Sequence, residues 1–300
     1  MAESLRLRGP AGAPVDLRRT LCWAWADLPP LRLDAEVPAL TVTLPVRRGR
    51  PRTVRVAPGR AGHAKLAVLG RPPAASTRDE LRAAVRHMLR LDEDLSAFYA
   101  LAADDPDLSW VRAGAGRLTR SPTVFEDVVK TLCSTNCHWS ATRRMVTALV
   151  DHLGEPAADG TGRAFPNATA MADAPAGFYA DVVRAGYRAG WLREIARRVA
   201  AGETDLEDLA VPGAVSEEAA DARLRALPGI GPYAAAHVAL MLGHYSRLLL
   251  DSWTRPTYAR LVGRKTVADR TIRRRFARYG SWAGLAFWLF LTRGWVDEEP

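Results

Sequence analysis

Between about Leu17 and Leu69 apolar and polar residues alternate, through LRLDAEV, ALTVTLPV, TVRV and AKLAVLG, with Pro and Gly clusters between the runs. A period of two with such breaks predicts a small antiparallel sheet. At Thr77 the period changes. Thr77 and Glu80 have the spacing of a capping box, and Leu81, Val85, Met88 and Leu89 then share a helical face, with Leu95, Phe98 and Tyr99 continuing in a following helix. A second box, Thr123 with Glu126, opens a helix whose predicted buried face is Phe125, Val128, Val129, Leu132 and Cys133. It ends in CSTNCHWSATRRM, where Ser140 is the predicted cap of the next helix. Beyond residue 251 the chain reads as helices to its end, with Ile272, Phe276 and Tyr279 turned inward and a last apolar helix in GSWAGLAFWLFL. The expected class is therefore α+β: an antiparallel β domain over residues 1–75, then a mainly α-helical domain over 76–300.

The most informative stretch runs from Leu227 to Asp251, LPGIGPYAAAHVALMLGHYSRLLLD. Leu227, Pro228, Gly229, Ile230 and Gly231 set two glycines and a proline between helical runs, so the chain reverses within a few residues over about 220–242. This is a helix–hairpin–helix. A turn poor in Cβ atoms lets backbone amides approach an anion, and a helix opening near Pro232 points its positive end the same way, so phosphate is the natural ligand. After the second helix comes an apolar run, Leu248 to Leu250, and then a carboxylate, Asp251. Read alone, Asp251 is either a chemical group at the edge of an apolar wall or the N-cap of a helix over Ser252 to Arg260. Tyr233, His237 and Met241 recur every four residues and share a helix face, lining either a cleft or the core.

Composition changes this picture little: 48% hydrophobic and 25% charged residues describe an ordinary globular chain. Charge changes it more. A net +9 and a pI near 10.0 favour a polyanionic partner. The basic side is nearly all arginine, with Lys65, Lys130 and Lys265 the only lysines, a bias that genomic composition also produces. The loop Arg47 to Arg52 is either a phosphate contact or a solvated hairpin tip. Cys22, Cys133 and Cys137 are too few for the four thiolates of an iron–sulfur cluster, and Cys133 with Cys137 read as small buried side chains rather than a metal pair. No apolar run spans a membrane, and residues 1–10 lack the apolar core of a signal peptide, so the expectation is a soluble, cytoplasmic monomer without cofactor.

The hairpin with an aspartate beyond its second helix resembles the helix–hairpin–helix DNA glycosylases, between the 8-oxoguanine branch and the bacterial alkyl-base (3-methyladenine) branch. The resemblance implies double-stranded DNA with a damaged base as partner, an active-site cleft between two helical subdomains, and base excision driven by Asp251. It implies that Leu227 to Gly231 grip the DNA backbone, with a monovalent ion possible on the hairpin carbonyls and no metal held by side chains. The CSTNCHW turn is similar to one in the 8-oxoguanine branch whose asparagine fills the hole left by the expelled base. Asn136 matches it, though Cys137 and His138 replace asparagines, and an ordinary C-cap is the alternative. AGYRAGWLREIARRV is similar to another stretch of that branch. In the closing helix Phe287 stands where that branch has a glutamine on the damaged base. By the same resemblance Trp139, Trp253 and Phe287 join Tyr233, His237 and Met241 around the flipped base. Where the family's strand-nicking members carry a lysine, this chain has Tyr233, implying a monofunctional glycosylase. Aromatic faces suit a cationic base, which favours an alkylated purine. An 8-oxoguanine-type or other damaged-base glycosylase and a non-catalytic damaged-DNA-binding protein are the alternatives, and composition does not exclude a hydrolase acting on RNA or nucleotides.

Overall fold

The computed structural model describes residues 2–22 and 27–295. Five strands, β1 (Ala2–Arg6), β2 (Leu31–Leu33), β3 (Leu40–Leu44), β4 (Arg52–Pro58) and β5 (His63–Val68), form one antiparallel sheet in the order β1-β5-β4-β3-β2. Twelve α-helices are described. The first seven are α1 (Leu17–Leu21), α2 (Ala75–Met88), α3 (Ser96–Ala102), α4 (Val124–Ser134), α5 (Trp139–Leu153), α6 (Ala168–Ala172) and α7 (Ala189–Ala200). After them come α8 (Glu217–Arg225), α9 (Pro232–Leu242), α10 (Thr254–Leu261), α11 (Asp269–Phe276) and α12 (Ala283–Leu291).

Sheet and helices build two apolar cores. In the first, Leu5, Val42, Val54, Val56 and Leu66 meet Leu81, Val85 and Met88 of α2, so this helix covers the inner face of the sheet. The second fills the helical part around α4, α9 and α12. All nine residues from Ala234 to Leu242 are buried. A helix apolar all round has no solvent face, which is why α9 lies at the centre.

Several local expectations change. The run at Leu17 is a helical turn, because Asp16 accepts from the Arg19 amide (3.1 Å) and caps it; residues 23–26 of the alternating stretch lie outside the described residues. β1 pairs with β5, a strand that the sequence pattern does not reveal because its five residues offer only Leu5 to the core. Thr77 does not cap α2, which begins earlier; Glu80 instead accepts from the Arg47 amide (2.8 Å) and holds the β3–β4 loop. Thr123 caps α4 by accepting from the Glu126 amide (3.2 Å). Glu207 takes the amides of Val124 (3.0 Å) and Phe125 (3.1 Å). α4 is buried on every side, so Glu126 ion-pairs with Lys130 inside the core (2.6 Å). Ser140 lies within α5, whose N-cap is His138.

The two cores are joined by a buried polar knot. Arg90, in left-handed conformation (φ 54°) just after α2, pairs with Glu93 (2.6 Å) and donates to the backbone carbonyl of Met241 near the end of α9. Tyr245 donates to Glu93 from the other side (2.5 Å). No helix among the described residues is long and apolar enough to cross a membrane.

Candidate active site

The hairpin forms as its residues demand. α8 is capped by Ser216, whose hydroxyl accepts from the Ala219 amide (3.2 Å), and it runs into a turn held by Leu227 N–H to Leu224 (3.1 Å) and Ile230 N–H to Leu227 (3.2 Å). Leu227 and Ile230 are buried and anchor the turn from below. Gly229 sits at φ 76°, a conformation that L side chains rarely adopt, while Gly231 is extended (φ −84°, ψ −179°) and exposed at the N-cap of α9. Pro232 opens α9 where no amide is needed.

Asp251 is half-buried at the mouth of α10. Its Oδ1 accepts from the amides of Trp253 (2.8 Å) and Thr254 (2.6 Å), and its own amide donates to Thr254 Oγ1 (2.8 Å). One carboxylate oxygen is thus fixed by the backbone at the start of α10, and the other takes no backbone amide. α10 starts at Thr254, two residues later than expected. From the first turn of α9, Tyr233 stands beside Asp251, and burial, together with that carboxylate, pushes its phenol well above the usual range. Below it lies His237, with the rings edge to face at 5.9 Å. Burial lowers His237 to about 4 against the opposing pull of Asp251, so the imidazole is neutral at pH 7. Tyr233, His237 and Asp251 are thus brought together as the sequence suggested.

Three of the predicted pocket residues are buried, His237 beneath Tyr233 and Met241 and Phe287 within the core. Met241 and Phe287 are fully buried, and Phe287 packs edge-on against Phe276 (5.3 Å) and beside Tyr258 (6.2 Å). Met241 lies deeper along α9 than Tyr233, inside the all-buried stretch, and Phe287 belongs to a helix buried on all sides. Trp253 is 40% exposed beside Asp251 and is backed by Trp288 (5.6 Å) and Trp295 (5.8 Å), two rings to which the sequence pattern assigns no part. Trp139, 39% exposed, is the first residue of α5.

Asn136 is exposed, in left-handed conformation (φ 46°), in the turn after α4. A side chain that can bond locally tolerates this region better than most, so the geometry fits a helix-ending turn. The turn is held from the GYR segment: Arg188 donates to the Thr135 carbonyl and, through Nε, to Thr135 Oγ1 (3.3 Å). The Arg188 guanidinium lies over the Tyr187 ring (4.4 Å), Tyr187 meets Trp191 edge to face (5.2 Å), and Trp191 packs onto Gly229. This strut connects the Asn136 turn to the hairpin. AGYRAGW stands out in the sequence by resemblance, but the i, i+4 spacing of Tyr187 and Trp191 is the physical signal for a shared face.

The three cysteines are free, and among the described residues no group of three or more His, Cys, Asp or Glu side chains is placed to hold a metal ion.

No family model and no curated protein matches the sequence. Solved structures do match along nearly the whole chain. A 3-methyladenine DNA-glycosylase from Archaeoglobus fulgidus superposes with a TM-score of 0.73 at 19% identity, covering 97% of each chain. MBOgg1 in complex with a low-affinity DNA ligand gives 0.74 at 17% identity over 99% of this chain and 96% of that one. The Clostridium acetobutylicum 8-oxoguanine glycosylase/lyase bound to DNA with cytosine opposite 8-oxoG gives 0.69 at 18%, covering 92% and 93%. The chain has the fold of the helix–hairpin–helix DNA glycosylases. Within this glycosylase fold, the N-terminal sheet, the central α9 and the hairpin belong to one architecture shared with proteins named for alkylated and for oxidised bases. At these identities the likeness shows the fold, and the chemistry must be argued from the residues.

Proposed function

We propose that the protein is a monofunctional DNA glycosylase that flips a damaged base, an alkylated purine first among them, from duplex DNA and hydrolyses its N-glycosidic bond. The observation that carries this reading is the placement of Asp251. Its carboxylate is oriented by two backbone amides, set beside Tyr233 and flanked by the exposed ring of Trp253. When the bond from C1′ to the base breaks, the electron pair leaves with the base and positive charge builds on the sugar. A carboxylate already fixed in place stabilises that charge as it forms and orients the water whose oxygen bonds C1′ while one of its protons passes to the carboxylate. Tyr233 supplies no amine, so no Schiff base forms and the backbone is left intact.

In this reading Leu227 to Gly231 hold phosphate, with a monovalent ion on the turn carbonyls, and Asn136 occupies the space vacated by the base. Tyr233, Trp139 and Trp253 offer flat faces to the flipped base, while neutral His237 underlies Tyr233 without adding a charge that would repel a cationic one. An 8-oxoguanine-type substrate is the second reading, favoured by the left-handed Asn136 turn. The deciding assay is release of free base from duplexes each carrying one alkylated, oxidised or deaminated base. Release of an alkylated purine without strand scission is expected; no release from any duplex would overturn the proposal.

A further inference from the structure

The charge of this protein is concentrated in one place. Residues 252–295 carry ten arginines and lysines against a single acid, Asp269, so this segment alone holds a net +9, equal to that of the whole chain. Asp269 is itself taken by Arg255 in a two-pronged pair (2.8 and 2.9 Å). Arg275 and Arg293 face Asp107, and Arg278 faces Asp105. What remains is Arg260, Arg264, Lys265, Arg270, Arg273 and Arg274, all exposed and without an ion pair among the described residues. Over residues 1–251 the 32 basic side chains stand against 29 acids, a near balance, and some of the surface arginines there are ion-paired, as Arg197 and Arg198 are with Glu194 and Glu203. A general arginine bias does not produce that contrast. The unneutralised charge sits on the far end of α10, the loop after it and α11.

We propose that this face binds the phosphate backbone of duplex DNA flanking the lesion, as an electrostatic contact separate from the hairpin. The partner is a polyanion rather than a protein, because no large apolar side chain between 254 and 295 is exposed to anchor an interface core. The same lack removes the apolar face that would insert into a membrane. Asp251 stands at the start of α10 and the basic face at its end, a helix of eight residues and so about 12 Å away. That distance corresponds to about four base pairs of duplex. The inference rests on reading the chain as acting on DNA, and it is tested apart from that reading.

The experiment measures binding of undamaged duplexes with flanks of about 4 and about 12 base pairs as a function of salt. It uses the wild type, a variant with Arg264→Gln, Lys265→Gln, Arg270→Gln, Arg273→Gln and Arg274→Gln, and a control with the four arginines changed to lysine. The wild type should bind the longer duplex more tightly and with a steeper salt dependence. The glutamine variant should lose that gain, on the order of a hundredfold near 0.1 M salt, with the logarithmic slope reduced by about 3. The lysine control should keep it, since charge and not fork geometry is at work. Equal length dependence and slope in wild type and glutamine variant would overturn the proposal, as would loss of binding to phosphatidylserine vesicles alone. If the length effect vanishes in the variant while the wild type releases no base, the flanking contact stands and the glycosylase reading falls. Base release with an unchanged slope has the opposite meaning: the glycosylase reading stands and the flanking contact falls.

Discussion

The indole of Trp191 lies directly against Gly229: a Cβ built on that glycine would meet Cε3, Cδ2 and Cζ3 of the ring, all within 3.0 Å. Gly229 also has φ 76°, so a side chain there meets both a wall and an unfavourable backbone. Gly231, two residues on, has nothing within 4 Å of a built Cβ and an ordinary φ. The two glycines of the hairpin therefore answer differently to the same change. Gly229→Ala should cost about 1–3 kcal/mol of stability and weaken binding of every duplex. Gly231→Ala should leave both unchanged, while Gly231→Glu repels phosphate and weakens binding of all duplexes alike. Urea unfolding with duplex titrations checks the set; equal effects of the two alanines would refute the assignment.

Asp251→Asn keeps an oxygen to accept the Trp253 and Thr254 amides and removes the charge. Base release should fall by a factor on the order of 100 or more while thermal stability and DNA affinity hold. A variant that loses melting temperature in step with activity would show that only the cap matters.

Strand scission is the third test. Borohydride should trap no adduct with the wild type, because Tyr233 offers no amine and Lys130 is sealed in its pair with Glu126, 1% exposed. Tyr233→Lys places an amine beside Asp251, and some trapped adduct should appear. Efficient trapping by the unmodified protein would contradict the monofunctional reading and direct attention to exposed Lys265.

Acid should loosen the fold through its buried histidines. His87 and His237 are each lowered by burial to about 4 from 6.5, so the unfolded chain binds more protons across that window. Stability from both groups is complete above pH 6.5 and is lost as pH falls through it toward 4. Asp127, raised by burial to about 6 from 3.8, acts in the opposite sense, costing stability as pH rises across its own window. His237→Gln should shrink the stability difference between pH 7 and pH 5; an unchanged difference would remove His237 from the account.

The sequence made the hairpin, the sheet and Asp251 legible because each rests on local chemistry: a glycine turn, a period of two, a carboxylate after an apolar run. It misplaced the α2 cap because Glu80 is claimed by Arg47, a partner thirty-three residues away that no local pattern shows. Burial was the other blind spot. A four-residue stripe puts Tyr233, His237 and Met241 on one face of α9 but does not tell how far along that face solvent reaches: Tyr233 is exposed, while His237 and Met241 are buried. Phe287 failed for a related reason: on a helix buried all round, periodicity carries no direction. Trp191 was missed because its neighbour is a glycine, and a residue without a side chain leaves no mark of contact in the sequence.

The knot of Arg90, Glu93 and Tyr245 has an evolutionary consequence. Losing Arg90 or Glu93 alone strands its partner's charge inside the protein at a cost of about 3–5 kcal/mol, whereas replacing both together with apolar residues is close to neutral. Lineages of this protein should therefore divide into two kinds of sequence, those keeping both Arg90 and Glu93 and those that have abandoned both, with a fitness valley between. Relatives that share the hairpin should fall into these two sets and leave the mixed combinations empty.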